Sequence, residues 1–467
     1  MDQIYENTLE NAIEESMEKI FELLEEKKYF LIRDEMLKYN EADIAEMFEE
    51  LLDDGDWLES TIVCFRLLPK NVSADVFSFL PTDDQLAIVD GINTKELSYI
   101  VEQLDFDDKI DILEELPANL VNTILEKTPK EERNLINAFL NYPEDTAGSL
   151  MTPEYISLKK EMTVTEALEH IREEAMDAET IYTCYVRDIG RKLLGIVSLS
   201  TIVTSSPETR INDIMHTDYV WLNVYDDQEE VAEAFKKYDF IAMPVVDKEH
   251  RLVGIITVDD IIDVIDDEAT EDIERMAGII DTADDDKYYL DKSIFEHAKA
   301  RFPWLVVMMI SAMITGAILS YFEDILSQMI ILVSYIPLLM GTGGNSGAQA
   351  STLVIRGLAL GEVDTSDLFK VILKELGVSM LIGLALSIIN FSKIIFIDGE
   401  PAMVALTVCV SLMFVIAFAK LLGGLVPIVA KKLKADPALM ANPIIASLTD
   451  MISILIYFLF ASMILGL

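Results

Sequence analysis

Residues 441–460, ANPIIASLTDMISILIYFLF, form an apolar stretch of 20 residues with a single carboxylate, Asp450. About 20 apolar residues are enough for an α-helix to cross a bilayer. An ionised side chain at that depth is costly, and acids inside spanning helices mark ion pathways. The stretch therefore predicts a membrane helix. Asp450 either lines an ion path or is kept protonated or hydrogen-bonded by a neighbouring helix.

The charge of the chain is unevenly distributed. The 467 residues carry a net charge of -46, but from Arg301 onward there are only 9 of the 36 basic and 10 of the 82 acidic residues. The first 300 residues therefore carry a net -45. Such a surface repels phosphate, so we expect no nucleic-acid partner. A carboxylate surplus favours bound cations, the alternative being a solvated acidic surface.

Motifs of common catalytic sites are missing from the sequence. The three cysteines form no CxxC pair, and there is no HExxH, GxxxxGK[ST] or GxSxG. These absences disfavour a structural zinc site, an enzyme active site and an ATP-driven pump. The acidic N-terminus is unlike a signal peptide.

The soluble part shows two patterns. Residues 1–143 repeat apolar positions at three and four, and short helices end at Pro or Asn, which predicts a stacked α-helical superhelix. From residue 144 a strand-and-helix pattern occurs twice. LMTPEYISLKKEMTVTEALEHI matches IMHTDYVWLNVYDDQEEVAEAF, and KLLGIVSLSTIV matches RLVGIITVDDII. Met151 thus corresponds to Met215, and Gly195 to Gly254. The repeat resembles a tandem CBS-domain pair, an α/β fold.

The C-terminal part predicts an all-α membrane domain of five spans. Basic residues flank alternate ends of these spans, and the loops between them carry mainly acids, so the positive-inside rule places the N-terminus in the cytoplasm and the C-terminus outside. We expect a multi-pass protein of the plasma (inner) membrane. The predicted spans are 303–322, 328–355, 371–392, 402–430 and 443–466.

The second span contains YIPLLMGTGGNSGAQAST, residues 335–352. Pro337 and the glycines around Gly344 predict a break in the helix, since Pro and Gly disfavour helix interiors. In a membrane, freed carbonyls survive only where they face protein or water, and there they can face a cation. The alternative is a small-residue face that packs closely against another helix.

PLLMGTGGNSGAQ, FKVILKELGV and DPALMANPIIASLTD resemble the signature stretches of the MgtE family of magnesium channels and transporters. The resemblance implies a homodimer in the bilayer, with a pore lined by spans two and five. Asp450 would be its main Mg²⁺ site, near Asn442. The backbone groups implied at the pore are those of Gly341, Gly343, Gly344 and Asn345.

The resemblance also implies four parts: a helical N domain (1–143), a CBS pair (144–272), an acidic connecting helix (273–300) and the pore domain (301–467). Cytoplasmic Mg²⁺ would gate the pore by cross-linking carboxylates. The implied regulatory ligands are Asp107, Asp111, Asp227, Glu229, Asp239, Asp260, Glu268, Glu271, Asp272 and Asp436.

CBS pairs also hold adenine nucleotides, and Thr257 and Asp260 lie where ribose contacts usually fall. ATP is therefore a second expected ligand, through one repeat. Lys420, inside the fourth span, departs from the family pattern; we expect it to snorkel or to pair with an acid such as Glu375, facing away from the pore.

The main hypothesis is a Mg²⁺-gated, Mg²⁺-selective channel that maintains magnesium homeostasis. Two alternatives stay open. Hard oxygen ligands also suit Co²⁺ or Mn²⁺, so a transporter of those ions would have the same sequence features. A membrane-anchored CBS sensor is the other alternative, although an anchor would not need Asp450.

Overall fold

The computed structural model describes residues 2–53, 57–280, 289–290, 292–440 and 442–466. The chain divides into two compact units, Met1–Asp266 and Asp267–Leu467. The division falls inside one long helix, Val258–Ala277.

Short helices form the first part of unit 1, as predicted. Several begin directly after a proline, such as Pro69, Pro117 and Pro129, whose fixed φ starts a helix without requiring a backbone N–H. Asn93 caps another by accepting the N–H groups of Lys95 and Glu96. The helices are α1 Asp2–Glu25, α2 Tyr29–Met36, α3 Glu41–Asp53, α4 Leu58–Leu67, α5 Lys70–Ser78, α6 Thr82–Gly91, α7 Thr94–Gln103, α8 Phe106–Glu115, α9 Ala118–Lys127 and α10 Lys130–Phe139.

These helices stack with a regular offset. Helix α3 packs on α5, α5 on α7, α4 on α6 and α6 on α8. A stack of this kind is the packing expected of a helical superhelix. One apolar core runs from these helices into the second strand-and-helix repeat, where it includes Leu222, Val231 and Ile256.

The two predicted repeats each form a three-stranded sheet of the same topology. In both, the first pair of strands is parallel and the second pair antiparallel. The strands are β1 Tyr155–Lys159, β2 Thr180–Arg187, β3 Leu193–Ser198, β4 Leu222–Asn223, β5 Ala242–Val246 and β6 Leu252–Thr257. The helices are α11 Val164–Glu174, α12 Leu199–Thr204, α13 Ile211–Ile214, α14 Gln228–Tyr238 and α15 Val258–Ala277.

The matched residues of the repeats occupy exchanged positions. A Cβ on Gly254 would lie 2.8 Å from the Thr152 carbonyl and 2.9 Å from Met151 Sδ. A Cβ on Gly195 would lie 2.7 Å from the His216 carbonyl and 3.2 Å from Met215 Sδ. The methionine at the start of each repeat thus packs against the glycine of the other repeat. This exchange explains why both Met and Gly recur.

Helix α15 contains the acidic run DDEATEDIERM, residues 266–276, and so includes the first residues of the predicted connecting helix. It ends at Ala277 because Gly278 adopts φ 73°, a left-handed conformation that favours glycine. Among the described residues between Gly278 and Ser293 none is helical, so the connecting helix expected over 273–300 is helical at its two ends, 273–277 and 294–300, and not across the described residues between them. Residues 281–288 and Asp291 lie outside the described part.

Four of the predicted membrane spans each fall on one helix of unit 2, whereas the second, predicted over 328–355, includes the 3₁₀ helix Ile330–Tyr335 and then the helix Ile336–Ala359. Within the described residues, four segments are long and apolar enough to cross a membrane: Ile294–Tyr321, Thr365–Asp398, Ala402–Lys432 and Pro443–Leu465. The helix of the second span has 24 residues, about 36 Å, but is less apolar. The helices are α16 Ile294–Tyr321, α17 Glu323–Gln328, α18 Ile336–Ala359, α19 Leu368–Lys393, α20 Ala402–Lys432 and α21 Asn442–Leu465.

The predicted break in the second span is wrong. Helix α18 is continuous, with Pro337 in its first turn, where no N–H partner is needed. A Cβ on Gly343 would lie 2.8 Å from Val415 Cγ1 and 2.9 Å from Thr449 Cγ2, so this glycine permits close helix packing. The same holds at Gly347, where a Cβ would lie 2.7 Å from Ile445. The small-residue packing face, the alternative drawn from the sequence, is what the helix contains.

Candidate functional site

Asp450 lies on α21 beside the contact of that helix with α18. Ala446, one turn earlier on the same face, approaches Gly344: a Cβ on Gly344 would lie 3.9 Å from Ala446 Cβ. The Asp450 side chain is half-buried. The carboxylate therefore stands next to the α18–α21 contact, with part of its surface accessible.

Helix α18 has a polar, exposed side. Gly341, Asn345, Gln349, Thr352 and Arg356 recur at three and four residues, and all are exposed. We call these residues the polar stripe. Hydrocarbon offers no hydrogen-bond partners to amide and hydroxyl groups. The stripe therefore needs water or a second protein surface over it.

The carbonyls predicted as pore groups belong to an intact helix. Gly341, Gly343, Gly344 and Asn345 all lie within α18, so their carbonyls are not freed by a break, and the basis of the backbone-ligand prediction is lost. Gly343 is buried, whereas Gly341 and Asn345 are exposed. What α18 presents outward is the Asn345 side chain.

The polar residues near Asp450 divide between two environments. Thr449 and Ser453 are each 1% exposed, and their hydroxyls have no hydrogen-bond partner in the described chain. Both face α18 at Gly343. Ser447 is half-exposed. The side chain of Asn442 lies outside the described part, although its backbone begins α21.

Lys420 is paired as predicted. Its Nζ lies 3.7 Å from Glu375 Oε2, and the side chains are 5% and 12% exposed. Helices α19 and α20 approach closely here, since a Cβ on Gly424 would lie 3.4 Å from Glu375 Cγ. Removing one partner of such a buried pair is strongly destabilising because it leaves an uncompensated charge.

Unit 1 brings acidic side chains of α8 and α15 together. Burial raises the pKa of Asp107, and burial together with the charges of Asp107 and Asp105 raises the pKa of Asp108 to about 7. Burial and the charge of Asp107 raise the pKa of Asp260 to about 6, although Thr257 Oγ1 donates to Asp260 Oδ2 at 2.7 Å. Asp111 lies one turn after Asp107 and is exposed.

A second group of carboxylates was not among the residues predicted from the sequence. Oxygens of Asp105, Glu154 and Glu179 all lie within 4.8 Å of one another. Burial, then the neighbouring acids, raise the pKa of Glu154 to about 7 and of Glu179 to about 8. Strand pairing places the two glutamates side by side, because the Glu179 N–H donates to the Glu154 carbonyl at 2.8 Å.

These groups suit a hard divalent cation by their chemistry. Mg²⁺ prefers carboxylate and water oxygens in octahedral geometry. Several carboxylates with raised pKa values lie close to one another. A bound cation would stabilise their charged forms. The donor set therefore fits Mg²⁺.

The predicted acids of α14 have local roles. Asp227 is the N-cap, and its Oδ1 accepts the N–H of Glu229 at 3.0 Å. Asp239 ends the helix with φ 54°. Eleven helical residues, about 16 Å, separate them, so Asp227 and Asp239 do not form one site within a chain.

The acids at the end of α15 meet a basic residue. Arg275 forms ion pairs with Glu271, one turn earlier, and with Asp436, whose Oδ2 lies 2.9 Å from its Nη1. Burial and the charge of Asp436 raise the pKa of Asp272. The structure thus brings Glu271, Asp272 and Asp436 together, with Glu268 one turn away on α15.

Comparisons with known proteins cover nearly the whole chain. Residues 336–460 match the MgtE family described as a divalent cation transporter. Residues 39–145 match the MgtE intracellular N domain. Residues 147–208 and 211–267 match the CBS domain. The matches follow the order of the helical, α/β and membrane parts described above.

Curated relatives align along almost their full length. The magnesium transporter MgtE of Thermus thermophilus is 39% identical over 442 residues, 93% of this chain and 95% of the relative. That of Bacillus subtilis is 33% identical over 423 residues, 88% and 92% of the two chains. The solved cytosolic domain of the Mg²⁺ channel MgtE in complex with ATP is 37% identical and covers 53% of this chain and 99% of its own, with a TM-score of 0.49. The chain belongs to the MgtE family of divalent cation transporters.

Proposed function

We propose that the protein conducts Mg²⁺ through the plasma membrane, along a path formed where two copies of the chain meet. The observation that carries the proposal is the polar stripe of α18 beside Asp450 of α21, in a domain whose other surfaces are largely apolar. Two copies related by a twofold axis would cover the stripe and bring two Asp450 carboxylates to one path.

The chemistry of this path suits a hydrated divalent ion. Mg²⁺ gives up water reluctantly, so a path that holds it through its water shell needs acceptors for water protons. The Asp450 carboxylates and the side-chain oxygens of Asn345, Gln349 and Thr352 supply them. Two carboxylates match a charge of two, whereas a monovalent ion gains less from the same pair.

Flux in reconstituted vesicles tests the proposal. We expect Mg²⁺ entry into vesicles that contain the protein, read with an internal Mg²⁺ dye, and slower entry of Co²⁺ and Mn²⁺ under the same gradient. Empty vesicles are the control. Faster Co²⁺ or Mn²⁺ entry would assign the protein to another cation, and no entry of any divalent ion would favour the CBS-sensor alternative.

We further propose that unit 1 and the end of α15 sense cytoplasmic Mg²⁺. The acids around Asp107 and Asp260, with Asp105, Glu154 and Glu179 beside them, repel one another when charged. Bound Mg²⁺ would supply the missing positive charge. Asp111, Glu271, Asp272 and Asp436 are the other candidate ligands of this chain; Asp227, Glu229, Asp239 and Glu268 stay predictions from the family resemblance.

ATP is a proposed second ligand of the CBS pair. The hydrogen-bonded Thr257 hydroxyl and Asp260 carboxylate lie at the end of β6 and the start of α15. A hydroxyl beside a carboxylate is a suitable acceptor set for ribose hydroxyls. The first repeat has Thr201 in place of the acid, so one nucleotide per chain is proposed.

The proposed topology has its own test. With the N-terminus in the cytoplasm and five spans, the C-terminus lies outside. A cysteine introduced at Leu467, just beyond the predicted fifth span, should react with an impermeant thiol reagent added to intact cells, whereas one at Lys432 should react only after the cells are opened. Cys64, Cys184 and Cys409 are buried, so their background should be low. The reverse labelling pattern would overturn the topology.

A further inference from the structure

Arg275 occupies a position between acids that the family resemblance assigns to Mg²⁺. Its guanidinium pairs with Glu271 on its own helix and with Asp436 in the segment between α20 and α21. The three side chains are 34%, 21% and 24% exposed, so solvent ions can reach them. The third acid, Asp272, interacts with the charge of Asp436.

Asp436 links this contact to the helix of Asp450. Its Oδ2 accepts from Arg275, and its Oδ1 accepts the N–H of Ala438 at 2.7 Å, at the start of the turn that leads into α21. Gly278, three residues after Arg275, packs on the first turn of α21: a Cβ there would lie 3.0 Å from Pro443 Cγ. The end of α15 is thus fixed to the start of α21 at two points.

We propose that Arg275 is a built-in counter-ion that competes with Mg²⁺ for Glu271 and Asp436. A guanidinium and a divalent cation both need the same carboxylate oxygens, and the guanidinium is covalently held beside them. With Arg275 in place, the α15–α21 contact forms without metal. Mg²⁺ has to displace Arg275 from at least one carboxylate, so Arg275 sets the Mg²⁺ concentration at which the sensor responds. This inference rests on the proposed Mg²⁺ sensing.

The test compares Mg²⁺ titrations of full-length protein in detergent. Protection against chymotrypsin, whose cleavage sites the substitutions leave unchanged, gives a Mg²⁺ midpoint, and vesicle flux gives a second. For Arg275→Gln we expect both midpoints to fall by roughly threefold to tenfold, because two surface ion pairs no longer oppose Mg²⁺. Arg275→Lys keeps the charge but cannot bridge two carboxylates, so its midpoint should lie between Gln and wild type. Arg301→Gln removes the same charge elsewhere in unit 2 and should leave the midpoint unchanged.

The outcomes separate the inference from the function on which it rests. Wild-type protein that shows no Mg²⁺ protection at millimolar concentration would contradict the proposed sensing itself. A wild-type response with an unchanged or higher midpoint in Arg275→Gln would overturn the competition. A midpoint of Arg275→Lys equal to or above that of wild type would also overturn the competition. The Lys variant therefore tests the inference even if the Gln variant does not fold.

Discussion

Replacement of Asp450 by asparagine is expected to reduce Mg²⁺ flux by at least about thirtyfold. Loss of a desolvated charge pair typically costs about 2–5 kcal/mol, and 2 kcal/mol is already about a thirtyfold effect. Asparagine keeps the size of the side chain and removes only its charge. In a twofold assembly each substitution acts twice, since both chains lose the carboxylate. Dye-reported flux in vesicles measures the effect.

A matched acid serves as the control for Asp450. Glu323, at the start of α17, is exposed and belongs to neither α18 nor α21. Glu323→Gln should transport at the wild-type rate. Both variants should elute as wild type in size-exclusion chromatography, which shows that assembly is intact. Wild-type flux in Asp450→Asn would refute the pore assignment.

The membrane helices were predictable because their lengths and charges depend on the bilayer alone. The pairing of Lys420 with Glu375 followed from the same argument, since an isolated charge is too costly there. The continuity of α18 was not predictable in this way. Gly343 and Gly347 can break a helix or let another helix approach, and the choice depends on Val415, Thr449 and Ile445, which are distant in sequence.

The sensor acids were predictable only where one helix carries them. Asp107 and Asp111 share a face of α8, and their spacing of four residues showed this. Asp227 has the sequence signal of an N-cap, and the structure gives it that role. The parallel pairing of the first two strands of a repeat places Glu154 next to Glu179, a signal that the sequence contained but that required the strand register.

Mg²⁺ binding to the soluble acids is expected to release protons near pH 7. The folded-state pKa values of Asp108 and Glu154 are about 7 and that of Glu179 about 8, well above the values of 3.8 and 4.5 for free side chains. At pH 7 these groups are therefore partly protonated, and only the charged form binds a cation. Mg²⁺ must displace the protons, so the apparent Mg²⁺ affinity should rise between pH 6 and pH 8.

Calorimetric titration of Mg²⁺ into full-length protein at pH 7, in two buffers of different ionisation enthalpy, measures the release. The heats should differ between buffers for wild type and differ less for Glu154→Gln/Glu179→Gln. Glu208→Gln, an exposed acid of the first repeat, is the control and should behave as wild type. Identical heats in both wild-type titrations would contradict the prediction.

The same pKa values fix the direction of a stability change. Between the unfolded pKa near 4 and the folded pKa near 7, the folded chain binds more protons than the unfolded chain, so its stability falls as the pH rises. Without Mg²⁺, the melting temperature of the soluble helices, followed by circular dichroism, should therefore decrease from pH 5 to pH 8. Saturating Mg²⁺ should reduce this decrease, because a ligand that binds the folded acids stabilises them most where they are charged. A melting temperature that rises over this range without Mg²⁺ would show that the acids around Asp108 and Glu179 are solvated rather than gathered into a cation site.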